Sequence, residues 1–469
     1  MSFGGLYISV SGIKANERSL DTISHNIANV NNADYVRQNA IHAFSRYRNI
    51  ENGSIQVGTG VNVQEIRQMR DEFLDLKYRK ENTILGYWQS QGDILGEIEA
   101  VFNEKTDSQT GLQDVLNEFW DGWDELYKEA DSLTIRGVLH ERAISLTETI
   151  NHMSDQLNSI QLDLNKEILN EAEKVNTLLS QISELNSKIT MTESPGSNIK
   201  ANDFRDERNA LIDELSELLP VDYYESNNHG IVVSLNGRDL INGEYSNPIE
   251  IKKDSRGFGY LYWSDTGEEI QQKEGGRLFG YIHARDVVID KYRDKLNIFV
   301  KTIADGINEC VKKGYDLEGN PGVSFFLGNL PDGSDIDASN IRVNPELSNF
   351  NKIAVSTDPT ERGNGEIIKK YIDDLKDKKF SELDGSTFEV YYRNVILDLG
   401  IDGNQASTIV QNQNSLLKEI SDRKSSISGV SLEEEITDMI NYQHSYIANT
   451  RVFNVIDEMM DLIINRMVQ

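Results

Sequence analysis

One cysteine, Cys310, stands in 469 residues, so no disulfide can form within the chain. Only 7 prolines occur against 34 glycines, which leaves long stretches free to be helical. Hydrophobic residues make up 38% of the chain. That is little for one large globule but suits elongated helices with narrow buried stripes. Basic charge is scarce: 47 Lys and Arg stand against 77 Asp and Glu, a formal net charge of −30. This excludes a nucleic-acid face, which must neutralise phosphates, and binding to an anionic membrane surface. No apolar run reaches the roughly 18 residues that cross a bilayer. The start, MSFGGLYISVSGIK, has no basic segment followed by an uninterrupted apolar core. A cleaved signal peptide is therefore not expected, and export would need a dedicated machine.

Catalytic and metal-binding patterns are missing as well. Seven histidines are scattered, and none makes a ligand spacing with another. His140-Glu141 begins like a zinc-protease signature, but Ile144 stands where the second His is required. Asp316, Glu318, Asn320 and Gly322 resemble the opening of a calcium loop, yet the closing acid is replaced by Leu327. Phosphate-loop and nucleophile-elbow motifs are absent. No catalytic residue, metal or cofactor is expected.

What the chain does have is a seam at each end. Leu6, Val10, Ile13, Leu20 and Ile27 follow a 4-3 spacing, with Glu17 and Ser24 in the remaining slots. Tyr446, Thr450, Phe453, Met460, Ile464 and Met467 repeat the pattern, with Asp457 in the missing slot. A 3.5-residue repeat needs another helix to cover it, and the simplest partner for each end is the other end. Ser431 with Glu434 forms a capping box that starts the last helix. Between the ends, Leu146 to Ile168 and Ala172 to Ile189 continue a heptad pattern through one stutter, a long rod. Leu112, Val115, Leu116, Phe119, Trp120, Trp123 and Leu126 predict a core helix. Ile231, Val233 and Leu235 alternate with Val232, Ser234 and Asn236, and glycines punctuate the segment, so residues 221–274 read as an inserted β domain. The expected fold is mainly α with inserted β. A terminal helical domain with an adjoining extended segment takes 1–66 and 428–469. A helical rod takes 67–220, 275–322 and 400–427. A second, mixed insertion takes 323–399.

The segment NIANVNNADYVRQ, residues 26–38, holds Asn26, Asn29, Asn31 and Asn32. One Asn is enough to end a helix, so the excess points to a shaped connection. Ala28, Asn29, Tyr35, Arg37 and Gln38 match the N-terminal motif of the flagellar axial proteins, with Asn32, Ala33 and Asp34 where Thr, Pro and Gly are usual. Further matches are VGTGV at 57–61, DEFL at 71–74, DFRDERNALIDELS at 203–216, and Gly275 to Leu278 with Arg285-Asp286. The most specific is GVSLEEE at 429–435, followed by Tyr442-Gln443, Tyr446, Ala448-Asn449 and Arg451-Val452. On these residues the chain resembles the FlgK family of hook-associated proteins. The resemblance implies a non-enzymatic, extracellular flagellar protein exported by the flagellar type III system. It implies a ring at the hook–filament junction, built through terminal helices that form the inner tube. Implied partners are further copies of the chain, hook protein, a second junction protein of the hook-associated protein 3 type, and an export chaperone on the C-terminal helix. The expected assembly residues are Leu6, Val10, Ile13, Leu20, Ile27, Asn29, Tyr35, Arg37, Gln38, Tyr446, Phe453, Met460, Ile464 and Met467. Two alternatives stay open on the sequence: another axial protein of the hook or rod, or an adhesive module displayed on the flagellum.

Overall fold

The structure is a computed structural model that describes residues 4–50, 55–102, 111–194, 199–330 and 335–462. The seam residues Ile464 and Met467 lie outside the described residues. Ten α-helices are described: α1 Gly4–Ala28, α2 Glu72–Phe102, α3 Leu112–Lys128, α4 Leu133–Thr192, α5 Asn202–Leu218, α6 Arg277–His283, α7 Ile289–Lys312, α8 Asp373–Asp377, α9 Phe388–Ser428 and α10 Leu432–Asp461. Twelve short strands accompany them: β1 Gln38–Phe44, β2 Arg48–Ile50, β3 Ile55–Val57, β4 Val61–Gln68, β5 Val221–Glu225, β6 Ile231–Leu235, β7 Arg238–Asn242, β8 Tyr245–Ser246, β9 Ile249–Lys253, β10 Gly259–Trp263, β11 Phe326–Leu327 and β12 Arg342–Val343. Long helices with small sheets are what the stripe pattern predicts. The chain forms two compact units. One holds Met1–Gly86, Glu171–Gly276 and Asn412–Gln469, and the other Tyr87–Asn170 and Arg277–Gln411.

In the first unit, β1 and β4 pair antiparallel from Gln38↔Gln68 to Phe44↔Val61. Strands β5 to β8 form a meander and β9 pairs with β10. The heptad residues Ala172, Val175, Leu179, Ile182, Leu185 and Ile189 of α4 are fully buried. The same helix carries a second, polar stripe at Asn176, Ser183, Asn186 and Thr190 that binds backbone of the β region. Asn176 donates to the Ile249 carbonyl at 2.8 Å and accepts the Ile249 N–H at 2.7 Å. Ser183 donates to the Glu244 carbonyl at 2.6 Å, and Thr190 to that of Asn228 at 3.3 Å. Asn186, with no exposed surface, donates to the carbonyls of Ile231 and Gly243 and accepts from Ile231 N–H and Arg208 Nη1. Side chains that saturate strand-end backbone leave few orphan groups where a helix meets a sheet edge.

The second unit is organised on aromatic residues. Phe119, Trp120 and Trp123 of α3 are buried, with Phe119 centroids 5.5 Å from Trp120, 5.8 Å from Phe326 and 6.3 Å from Phe325. Phe388 closes the group, 6.1 Å from Trp120 and 6.0 Å from Phe299. Phe119→Ala is expected to cost about 3–5 kcal/mol in the unfolding of this unit, because so closed a ring cluster cannot collapse onto the cavity. Urea denaturation followed by tryptophan fluorescence measures it. Arg136, fully buried, donates to the carbonyls of Ala130, Phe350 and Ile353, and burial lowers its guanidinium to about 10. Cys310 is buried in α7, which pushes its thiol up to about 11. Asp316 spends its carboxylate on the N–H groups of Glu318 and Asn320, which closes an ordinary turn.

Sequence and structure differ at α9. The last rod segment is expected from residue 400, but the helix starts at Phe388. Gly400 and Gly403 mask it, while Tyr391, Tyr392, Val395 and Leu399 bury its inner face.

Candidate assembly interface

Helix α1 packs antiparallel on α10, within the first unit. The contact runs in strict sevens. A side chain at Gly5 would meet Ile456 at 3.0 Å, and one at Gly12 would meet the Asn449 amide at 2.7 Å. Ser19 bonds His42 at 2.8 Å, whose ring lies 5.9 Å from that of Tyr442. Asn26 donates to Glu435 at 2.9 Å. Each step of seven along α1 is matched by a step of seven back along α10. The face α1 buries is small and polar: Ser9, Gly12, Ala15, Asn16, Ser19, Thr22, Ile23 and Asn26. Small residues let two backbones approach closely. The apolar stripe Leu6, Val10, Ile13, Leu20 and Ile27 is rotated one residue from this face and stays half-buried.

The pair is anchored at Asn26, which is 1% exposed. Its amide donates to the Gln38 carbonyl at 2.9 Å, and its oxygen accepts the Tyr35 hydroxyl at 2.8 Å and the Gln38 N–H at 3.0 Å. Arg37 pairs with Glu434 at 2.9 Å, Glu435 at 2.6 Å and Asp438 at 3.7 Å, and its N–H donates to the Ser428 carbonyl. Gln38 donates to Asp203 at 3.0 Å and accepts from Asn202 at 3.1 Å. Val36 N–H donates to Asp206. Three separate segments thus meet: the Asn-rich connection, the first turns of α5 and the first turn of α10. Ser431 caps α10 by accepting the Glu434 N–H, as its sequence predicts. The Glu434 carboxylate turns to Arg37 instead of completing the box.

Burial pushes the Asp206 carboxyl up to about 7, against the Val36 N–H and Arg70, which favour its ionised form. A raised folded value means stability that is full below pH ~4 and is lost as pH rises through about 7. Asp206→Asn should flatten the urea midpoint between pH 4 and 7, a difference of at most about 4 kcal/mol. Burial also raises the Tyr35 hydroxyl, reinforced by Asp203, Asp206 and Glu435. Glu193 behaves oppositely. Burial alone would raise it, but Arg205 and the Ala201 N–H hold it at about 2.

Of the expected assembly residues, Tyr35, Arg37 and Gln38 sit in this anchor. Asn29 donates to its own helix at the His25 carbonyl. Tyr446, Phe453 and Met460 are half-buried on α10, and Ile456 takes the seam slot expected at Asp457. The sequence reading missed a second set of apolar residues on α10. Leu432, Ile436, Ile440, Ile447, Val455, Met459 and Leu462 are each 40–48% exposed, with Ile440 and Ile447 opposite the α1 contact and the others on its flanks. Their spacing was the available signal: they step mostly by 4 and 3, beside the first seam. Among the described residues no group of three His, Cys, Asp or Glu could hold a metal, and no helix is long and apolar enough to cross a membrane.

Residues 95–326 match the model of the flagellar hook-associated protein FlgK helical domain. Residues 425–467 match that of the flagellar basal body rod FlgEFG protein C-terminal region. The flagellar hook-associated protein 1 of Bacillus subtilis is 28% identical over 99% of this chain and 98% of its own. That of Salmonella typhimurium is 22% identical over 97% and 98%. The flagellar hook junction protein FlgK from Burkholderia pseudomallei has the same fold, with a TM-score of 0.64 and 13% identity over 75% of this chain and 100% of its own. With the helical middle and the C-terminal segment matched, and a relative aligned along nearly the whole chain, the chain belongs to the flagellar hook-associated protein FlgK family.

Proposed function

We propose that this chain is the structural adaptor between hook and filament, assembled as a ring through its terminal helices. One observation carries the reading. Helix α10 covers one side with α1 and leaves a second apolar stripe, Leu432 to Leu462, in water. Exposed apolar residues concentrated on one helix in this way mark an interaction surface. Self-association through two different surfaces gives rings or helical arrays, the geometry an axial structure requires. The relatives, which this chain spans almost completely, are named as hook-associated, and the protein of like fold is named as a hook junction protein; both names support the assignment.

In this reading hook protein lies below the ring and a second junction protein above it. Before assembly the exposed stripe needs a cover, and an export chaperone on α10 supplies one during type III export. Deleting the gene tests the proposal. Electron microscopy should find bare hooks, and flagellin should spill into the medium, because export continues while the filament has no base. Normal filaments would contradict it.

A further inference from the structure

The first unit holds an open cleft of about 760 Å3 between the β4–α2 segment and the α5–β5 segment. Its lining includes Arg67, Arg70, Lys200 and Arg205, with Leu76 and Tyr224 beside them. The same lining holds Glu65, Glu72, Asp75 and Glu225, so the cleft is mixed in charge. Most of the cations are engaged within the chain: Arg70 with Asp75 and Asp206, Arg205 with Glu193 and Glu225. The rim is less committed. The Arg67 side chain is 64% exposed and held by Glu65 of its own strand. Leu76 and Tyr224 are 51% and 60% exposed. Deeper in, Arg208 is 1% exposed and its Nε has no acceptor.

The first turn of α10 is the chemical complement. It reads Leu432-Glu433-Glu434-Glu435-Ile436. Arg37 occupies Glu434 and Glu435, whereas Glu433 is exposed with no ion pair among the described residues. Leu432 and Ile436 flank it, 46% and 44% exposed. A chain of hydrogen bonds ties the two surfaces together. Asn202 lines the cleft and also bonds Gln38, which shares Asn26 with Glu435. Each copy in the proposed ring carries both surfaces, so the turn of one copy and the cleft of another are available to pair.

We propose that the first turn of α10 in one copy docks in this cleft of the next copy. Glu433 meets Arg67 at the rim, and Leu432 and Ile436 cover Leu76 and Tyr224. An arginine that reads the α10 carboxylates already exists within the chain at Arg37, and this contact repeats that chemistry between copies. The inference rests on the ring reading and names its lateral contact.

The test uses Leu76→Cys and Leu432→Cys on separate full-length copies, expressed together in place of the native protein. Cys310 is buried and gives little background. Hook–basal bodies are isolated and oxidised, and the chain is detected by immunoblot. A cross-linked dimer should form only when both variants are present. Incorporation without that dimer would overturn the lateral contact and leave the ring intact. Absence of even the native chain from these preparations would overturn the ring reading itself. As a second measurement, Arg67→Glu and Glu433→Arg should each lower incorporation roughly tenfold or more, and their combination should restore it. Failure of the charge swap to restore incorporation would also overturn the contact.

Discussion

Replacing Ile440 and Ile447 with aspartate leaves the monomer folded and removes the protein from isolated hook–basal bodies. Both residues face water in the single chain, 47% and 40% exposed, on the side of α10 away from α1. Surface substitutions of that kind usually shift stability by no more than about 0.5 kcal/mol. In the proposed ring the same positions would be covered. Each isoleucine then contributes about 1.5–3 kcal/mol of burial, and an unpaired carboxylate in its place adds a desolvation penalty of several kcal/mol. Every copy carries the defect, so the losses multiply around the ring. Circular-dichroism melting should be unchanged, and immunoblots of hook–basal bodies should be empty. Incorporation at the native level would mean that the exposed stripe is not an assembly surface.

The second large effect is inside the first unit. Asn186→Ala should cost about 3–5 kcal/mol, read as a fall in the urea midpoint of that unit. The amide makes four hydrogen bonds from a site with no exposed surface. Its loss orphans the Ile231 N–H, the carbonyls of Ile231 and Gly243, and one contact of the buried Arg208. An unsatisfied buried group costs about 1–3 kcal/mol, more where a charge is involved. Arg208 still holds the His229 carbonyl at 2.9 Å, which limits the loss. A change below about 1 kcal/mol would mean that water replaces the amide and that the polar stripe of α4 is not what fastens the β region.

The sequence makes some of this legible and hides the rest for physical reasons. The heptads of α4, the aromatic face of α3, the β pattern after Val221 and the Ser431 cap are local periodicities, and each is where the pattern puts it. The buried face of α1 is hidden because Gly5, Gly12 and Ser19 carry no hydrophobic signal. Close approach of two helices selects small residues, so the true seam lies one residue beside the apolar one. The Asn-rich connection reads as a run of caps, yet Asn26 works as an internal hub to Gln38, Tyr35 and Glu435. A bond that spans 409 positions leaves no local trace. The motifs near residues 35, 203 and 431 were visible one by one. Only the fold shows that they share a single anchor.

The most direct measurement is position. Immunogold labelling of intact flagella with antibody to this chain should give one narrow band where hook meets filament. Label spread along the hook or confined to the rod would contradict the junction reading and favour another axial role.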